Sequence, residues 1–522
     1  MTTPRRREAR LLAALAGVLA AALTLCVAGL AAALLAPGAE PLVAVGDAFI
    51  DVTPGWLKEA AIAAFGVNDK TALLVSAGVV LAVLAGGAGV LALRSRGGGT
   101  AAVLLLGTVG ALTAATRPDA APLAAVPSLA GAAAGVVALR ALVDRVDPAP
   151  ASSRTTRTSP AAAGPRSPDR RGFLRGALMV TAIAAASSAA ASLSGGATKV
   201  ATAAREALHL PAPKRSAPPV PAGAQSPVAG VGPVVTPNQN FYRIDTALSF
   251  PRVDPAKWAI RIHGMVEREV TLTLDDLLAG DLVEAYVTLA CVSNPVGGRL
   301  LGNARWLGLP VADVLTRAGV LPGADMVLST SVDGFTASTP LAVLLDGRDA
   351  LLAVGMNGEP LPLAHGFPVR MVVPGLYGYV SATKWLDDLE VTRFADQEAY
   401  WTQRGWSPLG PVKTSSRIEV PRDRDRLSVG TVAVGGTAWA QHTGITGVEV
   451  QVDDGPWRPA TVADEISVDS WRQWSFSWDA RAGDHTLRVR ATDATGTTQT
   501  SDVADVIPDG ATGWHEISVT VG

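Results

Sequence analysis

Cysteine, histidine and aromatic residues are scarce in this 522-residue chain. There are two cysteines, Cys26 and Cys291, and six histidines. Cys26 lies in an apolar stretch, so Cys291 stands alone in the polar half with no local partner for a disulfide. The chain carries no iron–sulfur motif, which takes several thiolates. None of His209, His263, His365, His442, His485 and His515 falls in an apolar run. That excludes a membrane cytochrome with bis-histidine haem, and no haem is expected. The apolar runs hold almost no ionisable residues, which argues against a proton or ion path. No basic patch interleaved with aromatics occurs in the polar half, so nucleic acid is not an expected partner.

The net charge of −2 hides two unlike halves. Residues 1–235 are rich in Ala, Leu, Gly and Val and hold 21 Lys plus Arg against 11 Asp plus Glu. Residues 236–522 hold 23 basic against 35 acidic residues, and 11 of the 12 tryptophans. Apolar runs at about 11–36, 71–93, 100–116 and 122–143 are long enough, or nearly so, to span a bilayer. A fifth, 173–195, is richer in Ala and Ser and more weakly apolar. Arg5, Arg6, Arg7 and Arg10 precede the first run, Arg94 and Arg96 follow the second, and Arg140 and Arg145 close the fourth. Arg154, Arg157, Arg166, Arg170 and Arg171 crowd the stretch before the fifth. If every run crosses, these all fall on one side, and the positive-inside rule makes that side cytoplasmic. The expected organisation is a four-span membrane region over 1–146, a cytoplasmic linker over 147–172 and a fifth span over 173–195. A Pro/Ala-rich extended linker over 196–235 would then hold the rest away from lipid, on the extracytoplasmic side. The fifth span opens with DRRGFLRG, Asp169 to Gly176, which resembles a twin-arginine export signal. An ordinary positive-inside flank is the alternative reading.

Residues 236–412 mix strand-like runs (KWAIRIHG, AYVTLA) with short helical ones (TLDDLLAG, PVADVLTRAG), and Thr273 is a fitting N-cap. This reads as an α+β domain with many loops. Cys291 stands where AYVTLA gives way to VSNPVGG. A lone cysteine there is a small core residue, a nucleophile or a metal thiolate. From 413 onward, RLSVGTVAVGGTAWA, TGVEVQVDDGPW, RQWSFSWDA and HTLRVRATDATG alternate apolar and polar residues between short turns. That is the pattern of an antiparallel all-β sandwich.

Taken in order, TLACVSNPVGG, ARWLGLPVADVL, MNGEPLPLAHGFPVRMVVPGLYG and ATKWLDDLEV resemble the sulfite oxidase family of molybdenum-cofactor enzymes. The resemblance runs over roughly residues 236–520. It implies one molybdenum–molybdopterin per chain, with Cys291 as the metal thiolate, a soft ligand suited to such a centre. HGFPVR and TKW resemble the pterin-binding segments, which points to His365, Arg370, Thr383 and Lys384. A phosphate needs fixed cations, and a forked guanidinium beside a point charge supplies them. QNFYRID resembles the family's opening segment and adds Asn240, Tyr242 and Arg243. Arg243 lies where sulfite oxidases carry an anion-binding arginine on the substrate side, a salt bridge to Asp245 being the alternative. Ser331, in LSTSVDGF, is a further candidate hydrogen-bond partner. Tyr400, in EAYWTQRGWSP, is the candidate for a tyrosine near the metal. The tail over 413–522 resembles the family's immunoglobulin-like dimerisation domain, which implies a homodimer.

One departure matters. Sulfite oxidases follow the metal cysteine with a loop containing two arginines. Here VSNPVGG is uncharged and the first basic residue is Arg299. The expected function is a membrane-anchored, outward-facing enzyme moving an oxygen atom to or from a small oxo-anion or sulfoxide. An external carrier takes or gives the electrons. A cofactor inserted before export agrees with twin-arginine machinery, which carries folded proteins. Reduction of a sulfoxide or another oxo compound is the alternative direction. A surface binding protein with a degenerate cofactor domain is the non-enzyme alternative.

Overall fold

The computed structural model describes residues 3–54, 57, 69–117, 120–146, 169–194, 196–246, 248, 250–251 and 253–522. It divides into two compact units, Met1–Val200 with Thr246–Arg252, and Ala201–Asp245 with Val253–Gly522.

The first unit is helical, in keeping with its long runs rich in Ala and Leu, both strong helix formers. Its helices include Thr3–Leu35, Pro41–Val52, Asp69–Arg94, Arg96–Ala115, Val126–Val146 and Arg170–Ser194. Five of these, Pro41–Val52 excepted, are long and apolar enough to cross a membrane. Small residues let the backbones meet: a Cβ on Gly17 would run into the carbonyl of Ala85, and one on Gly131 into that of Thr24. The helix Pro41–Val52 is too short to span a bilayer. Its Asp47 pairs with Arg117 and accepts the Leu248 N–H at 3.0 Å. Most of the 147–172 linker, with Arg154, Arg157 and Arg166, lies outside the described residues. Arg170 pairs with Glu8.

The stretch expected as an extended linker behaves otherwise. Gly196–Ala207 is a helix. Beyond it the chain runs along the second unit. The Lys214 N–H donates to Leu282 O at 2.7 Å, Arg215 bridges Val283, and Ala224 and Val234 are buried in the main core. A Pro/Ala-rich segment has no core of its own, but it can complete the core of the surface it meets.

Two sheets follow. One has the order Val270–Thr273, Ala259–Gly264, Leu386–Thr392, Met326–Ser331, Thr336–Pro340. The other begins with Val283–Ala290 at its edge, followed by Leu301–Pro310 and Leu351–Met356, with Arg370–Val372 also pairing to the last. The helix Leu274–Leu278 starts with a capping box, Thr273 and Asp276 each satisfying the other's backbone N–H. From Ser415 two sheets of four and five strands share a core. Val434, Trp474 and Phe476 come from one, and Val450, Leu487, Val489 and Ile517 from the other. The period-two burial of Leu487, Val489 and Ala491 is the expected strand pattern.

Candidate active site

The strand Val283–Ala290 delivers Cys291 to a closed turn. The Cys291 N–H donates to Leu300 O at 2.9 Å, the Asn294 N–H to Cys291 O at 3.1 Å, and the Leu300 N–H to Asn294 Oδ1 at 2.8 Å. The thiol is buried, and burial raises its pKa while hydrogen bonds from Ser293 oppose the rise. Two phenols lie in its field. Burial, then Cys291, pushes Tyr242 well above the usual tyrosine range, while Arg370 pulls the other way. Burial is also the chief cause that lifts Tyr377 to about 12, with Cys291 a minor one. Among the described residues no group of three or more His, Cys, Asp or Glu converges. A metal at Cys291 would therefore draw most of its coordination from a bound group.

Beside this lies an unusual cation set. Arg370 is 5% exposed and donates only to carbonyls: His365 O and Ala382 O at 3.2 Å, Met371 O at 3.4 Å. Its guanidinium also faces the Trp306 ring at 5.1 Å. Among the described residues no carboxylate pairs with it. Burial lowers its pKa to about 10. Lys384 reaches Asp245 at 2.8 Å, yet burial still lowers it to about 8. Arg243 also binds Asp245, at 2.7 Å. Gly366, at φ +110°, lets the chain turn tightly between Arg370 and Lys384; a Cβ there would sit 3.0 Å from one and 3.1 Å from the other. His365 is buried, and burial followed by Arg370 lowers it to about 4. Its Nε2 lies 3.1 Å from Asn238 O. A carbonyl only accepts, so Nε2 carries the proton and Nδ1 is left as an acceptor. Lys384 and Arg243 thus share one buried carboxylate, Asp245, while Arg370 beside them has none among the described residues, an arrangement that favours an anion.

A cavity of about 650 Å³ opens beside this set. Its walls include Asn238, Phe241, Arg243 and His365, with Thr202 and Arg205 from the helix after the fifth apolar run. Arg205 is held by Glu359 at 2.7 Å and by the carbonyls of Pro360 and Leu361.

The structure brings Cys291, Tyr242, Arg370, Lys384, Arg243 and His365 into one neighbourhood. Arg243 makes the salt bridge to Asp245 that was the alternative to a substrate-side role, and shares that carboxylate with Lys384. Other candidates are placed differently. Asn240 is exposed, whereas Asn238, two residues earlier, bonds Met356 O, Glu359 and Asn357. The Thr383 hydroxyl pairs with that of Ser329 at 2.7 Å. The Ser331 hydroxyl accepts from the Asp333 N–H at 3.5 Å, and Asp333 feels both Asp245 and Lys384. Tyr400 packs with Phe335 and Trp401, under the guanidinium of Arg404 at 3.6 Å. The phenols coupled to Cys291 belong instead to Tyr242 and Tyr377. Arg299 is exposed. Sequence reasoning missed Asn238, Arg205 and Thr202. The only signal for Asn238 was its place in the same NQN turn as Asn240.

Residues 247–401 match the oxidoreductase molybdopterin binding domain. The chain is 33% identical over 193 residues to the uncharacterised oxidoreductase YuiH of Bacillus subtilis (strain 168), covering 35% of this chain and 91% of that protein. The chain belongs to the sulfite oxidase family of molybdopterin oxidoreductases. It is 29% identical over 343 residues to human mitochondrial sulfite oxidase, covering 55% of this chain and 62% of that one. It thus spans about three-fifths of the length of that relative. Among solved structures, the sulfane dehydrogenase SoxCD of Paracoccus pantotrophus aligns with 22% identity and a TM-score of 0.47, over 54% of this chain and 80% of that one. Family membership places the chain among the molybdopterin oxidoreductases and implies molybdenum–molybdopterin. The residues present fit that group. One buried thiol can give a metal a single soft ligand. A buried guanidinium with no carboxylate partner among the described residues, with a buried lysine beside it, provides the donors a phosphate needs.

Proposed function

We propose that this is a membrane-anchored molybdenum oxidoreductase that transfers an oxygen atom to or from a small oxo substrate on the extracytoplasmic side. The observation that carries this reading is Arg370, a buried cation whose partners among the described residues are carbonyls and the Trp306 face, in the field of Tyr242, which lies in that of Cys291. Cys291 would hold the metal, and coordination would keep it a thiolate although burial alone raises its pKa. Arg370 and Lys384 would grip the phosphate. His365 offers its Nδ1 as an acceptor to a pterin N–H. Tyr242 keeps its phenolic proton at neutral pH and can donate a hydrogen bond beside the metal. Bound molybdenum supplies the two-electron redox step and the exchange of the oxygen atom. Asn240, Ser331, Thr383 and Tyr400 remain candidates at its edge. Electrons would pass to or from an external carrier.

The anchor would be the five apolar helices, with Arg170 and Arg171 read by twin-arginine machinery before the folded part crosses. The divisions at 236–412 and 413–522, an immunoglobulin-like form for the latter, and a homodimer belong to the same proposal. The direction is open to a second reading, which one observation favours. The turn after Cys291 brings no cation inward, and Arg243 is committed to Asp245. A neutral sulfoxide then suits the site better than a charged oxyanion.

The test is the full chain in detergent, expressed with cofactor machinery. About one molybdenum per chain and a thiolate charge-transfer band that Cys291→Ser removes are expected. Unchanged absorption in that variant overturns the reading. Sulfite with an artificial acceptor, and dimethyl sulfoxide with a reduced viologen, then separate the two directions. For export, Arg170→Lys with Arg171→Lys should keep a reporter fused at residue 522 inside the cell; equal display in both forms refutes the signal.

A further inference from the structure

We propose that Arg417 and His515, in the C-terminal β region, are positioning residues for the Cys291 turn, so that this region is part of the metal site rather than only an appended module. The inference rests on the reading of Cys291 as the metal ligand.

Two sets of contacts carry it. The first grips the turn itself. Arg417 donates through Nη1 to Gly298 O at 2.9 Å. The same guanidinium is fixed from behind by Glu419, with Nε at 2.9 Å and Nη2 at 2.7 Å. Glu419 is fixed in turn by the Thr437 hydroxyl at 3.1 Å and the Gly232 N–H at 3.0 Å. His515 accepts the Ile418 N–H on Nδ1 at 2.9 Å, so its ring orientation is set by the sheet. That ring lies against Gly297, where the backbone takes φ +73° and a Cβ would run into the imidazole. Only glycine serves there, both for its backbone angle and for the close approach.

The second set covers the strand that leads to Cys291. Val283–Ala290 is a sheet edge, and an uncovered edge leaves backbone groups unpaired. Here the Thr288 N–H donates to Asp469 O at 2.9 Å, Thr288 O accepts from Gln441 Nε2 at 3.1 Å, and the Thr288 hydroxyl accepts the Trp471 N–H at 2.8 Å. Tyr286 O accepts from Ser467 at 3.0 Å. Both the strand before Cys291 and the turn after it are therefore held by residues beyond 412, and all of them fall within one compact unit.

The test compares Arg417→Ala and His515→Asn in the cofactor-loaded full chain. An asparagine Oδ1 can still accept the Ile418 N–H, so His515→Asn spares the sheet and removes only the ring against Gly297. Each variant is expected to keep most of its molybdenum. Its thiolate charge-transfer band and Mo(V) paramagnetic resonance signal should move, and kcat per molybdenum should fall roughly tenfold with KM within about twofold, the scale of lost support around a metal ligand. Wild-type spectra and kcat per molybdenum in His515→Asn, and in Arg417→Ala where it folds, overturn the inference. Cys291→Ser separates the two failures. If that variant loses the band while His515→Asn does not shift it, only the positioning role falls. If Cys291→Ser leaves the band unchanged, the ligand reading falls and takes this inference with it.

Discussion

Arg370 and Arg417 are both buried, at 5% and 8% exposure, in the same compact unit, yet they are held in opposite ways. Arg417 has a carboxylate. Burial alone would raise Glu419, but Arg417 and its hydrogen-bonding neighbours hold it below the usual range. The cluster closes on itself and is complete. Arg370 has three carbonyls and an indole face. Its positive charge is left over, and burial lowers its pKa accordingly. A buried charge costs several kcal/mol unless something compensates it. A cluster that is complete without a ligand belongs to the architecture, while one left unbalanced is waiting for an anion. The first grips the turn after Cys291, the second lies in the field of Tyr242 as Cys291 does, and only the second points to a cofactor.

The comparison breaks most sharply on substitution to methionine, which keeps length and removes charge. Arg370→Met should reduce molybdenum retained per chain by tenfold or more, since a charged hydrogen bond to a phosphate is worth about 1.5–3 kcal/mol. The cofactor-free protein should be no less stable than wild type, or slightly more so, because an unpaired buried cation has been removed. Arg417→Met should do the reverse to stability. It strands Glu419, so the cofactor-free chain should lose about 3 kcal/mol by denaturant melting. Equal destabilisation in the two variants would erase the distinction.

Much of this was legible in the sequence, and the reason is local. The strand ending at Cys291, the Thr273 cap and the helix stopped by Gly319 are set by short-range patterns. The charges of Arg370 and Lys384 could be assigned because HGFPVR and TKW carry them in a recognisable frame. What could not be read is set by meetings across the chain. Arg417 reaches Gly298 over 119 positions, and nothing in either segment announces the other. Asn238 rather than Asn240 turns toward Met356 and Glu359 because a single 3-10 turn decides which amide faces inward. The 208–235 stretch has the composition of a spacer, and its burial is a property of the surface it lies on.

Lys384 sharpens the comparison through pH. Its folded pKa, about 8, lies below the ordinary 10.5, chiefly because of burial. Above pH 8 the unfolded chain still binds the proton that the folded chain has lost, so stability rises with pH across that window. Lys384 should therefore contribute roughly 1–2 kcal/mol to the cofactor-free protein between about pH 7.5 and 9.5, read as the difference between the wild-type and Lys384→Met curves. The difference is what counts because the raised thiol of Cys291, and at higher pH the raised phenols of Tyr242, Tyr377 and Tyr379, act in the opposite sense. Retention of an anionic cofactor should move the other way, weakening as the ammonium deprotonates. Parallel wild-type and Lys384→Met curves would show that Asp245 holds the proton on Lys384 more firmly than burial removes it.

The smallest effect concerns Arg243, where the two clusters' logic meets. It is about one-third exposed, and it shares Asp245 with Lys384. Removing it leaves that carboxylate still paired, so Arg243→Ala should change stability by no more than about 0.5–1 kcal/mol, as for other solvent-screened pairs. The functional consequence decides which side of the metal it serves. If the cofactor lies against His365 as proposed, a place in the same cavity wall would put Arg243 on the cofactor side. Molybdenum content should then fall about twofold, the equivalent of roughly 0.5 kcal/mol, with KM for sulfite or dimethyl sulfoxide within the same factor. A KM raised tenfold at normal metal content would instead mean that Arg243 leaves Asp245 to meet substrate. The pair with Asp245 would then be a resting position, and the charge left for the phosphate would come from Arg370 and Lys384 alone.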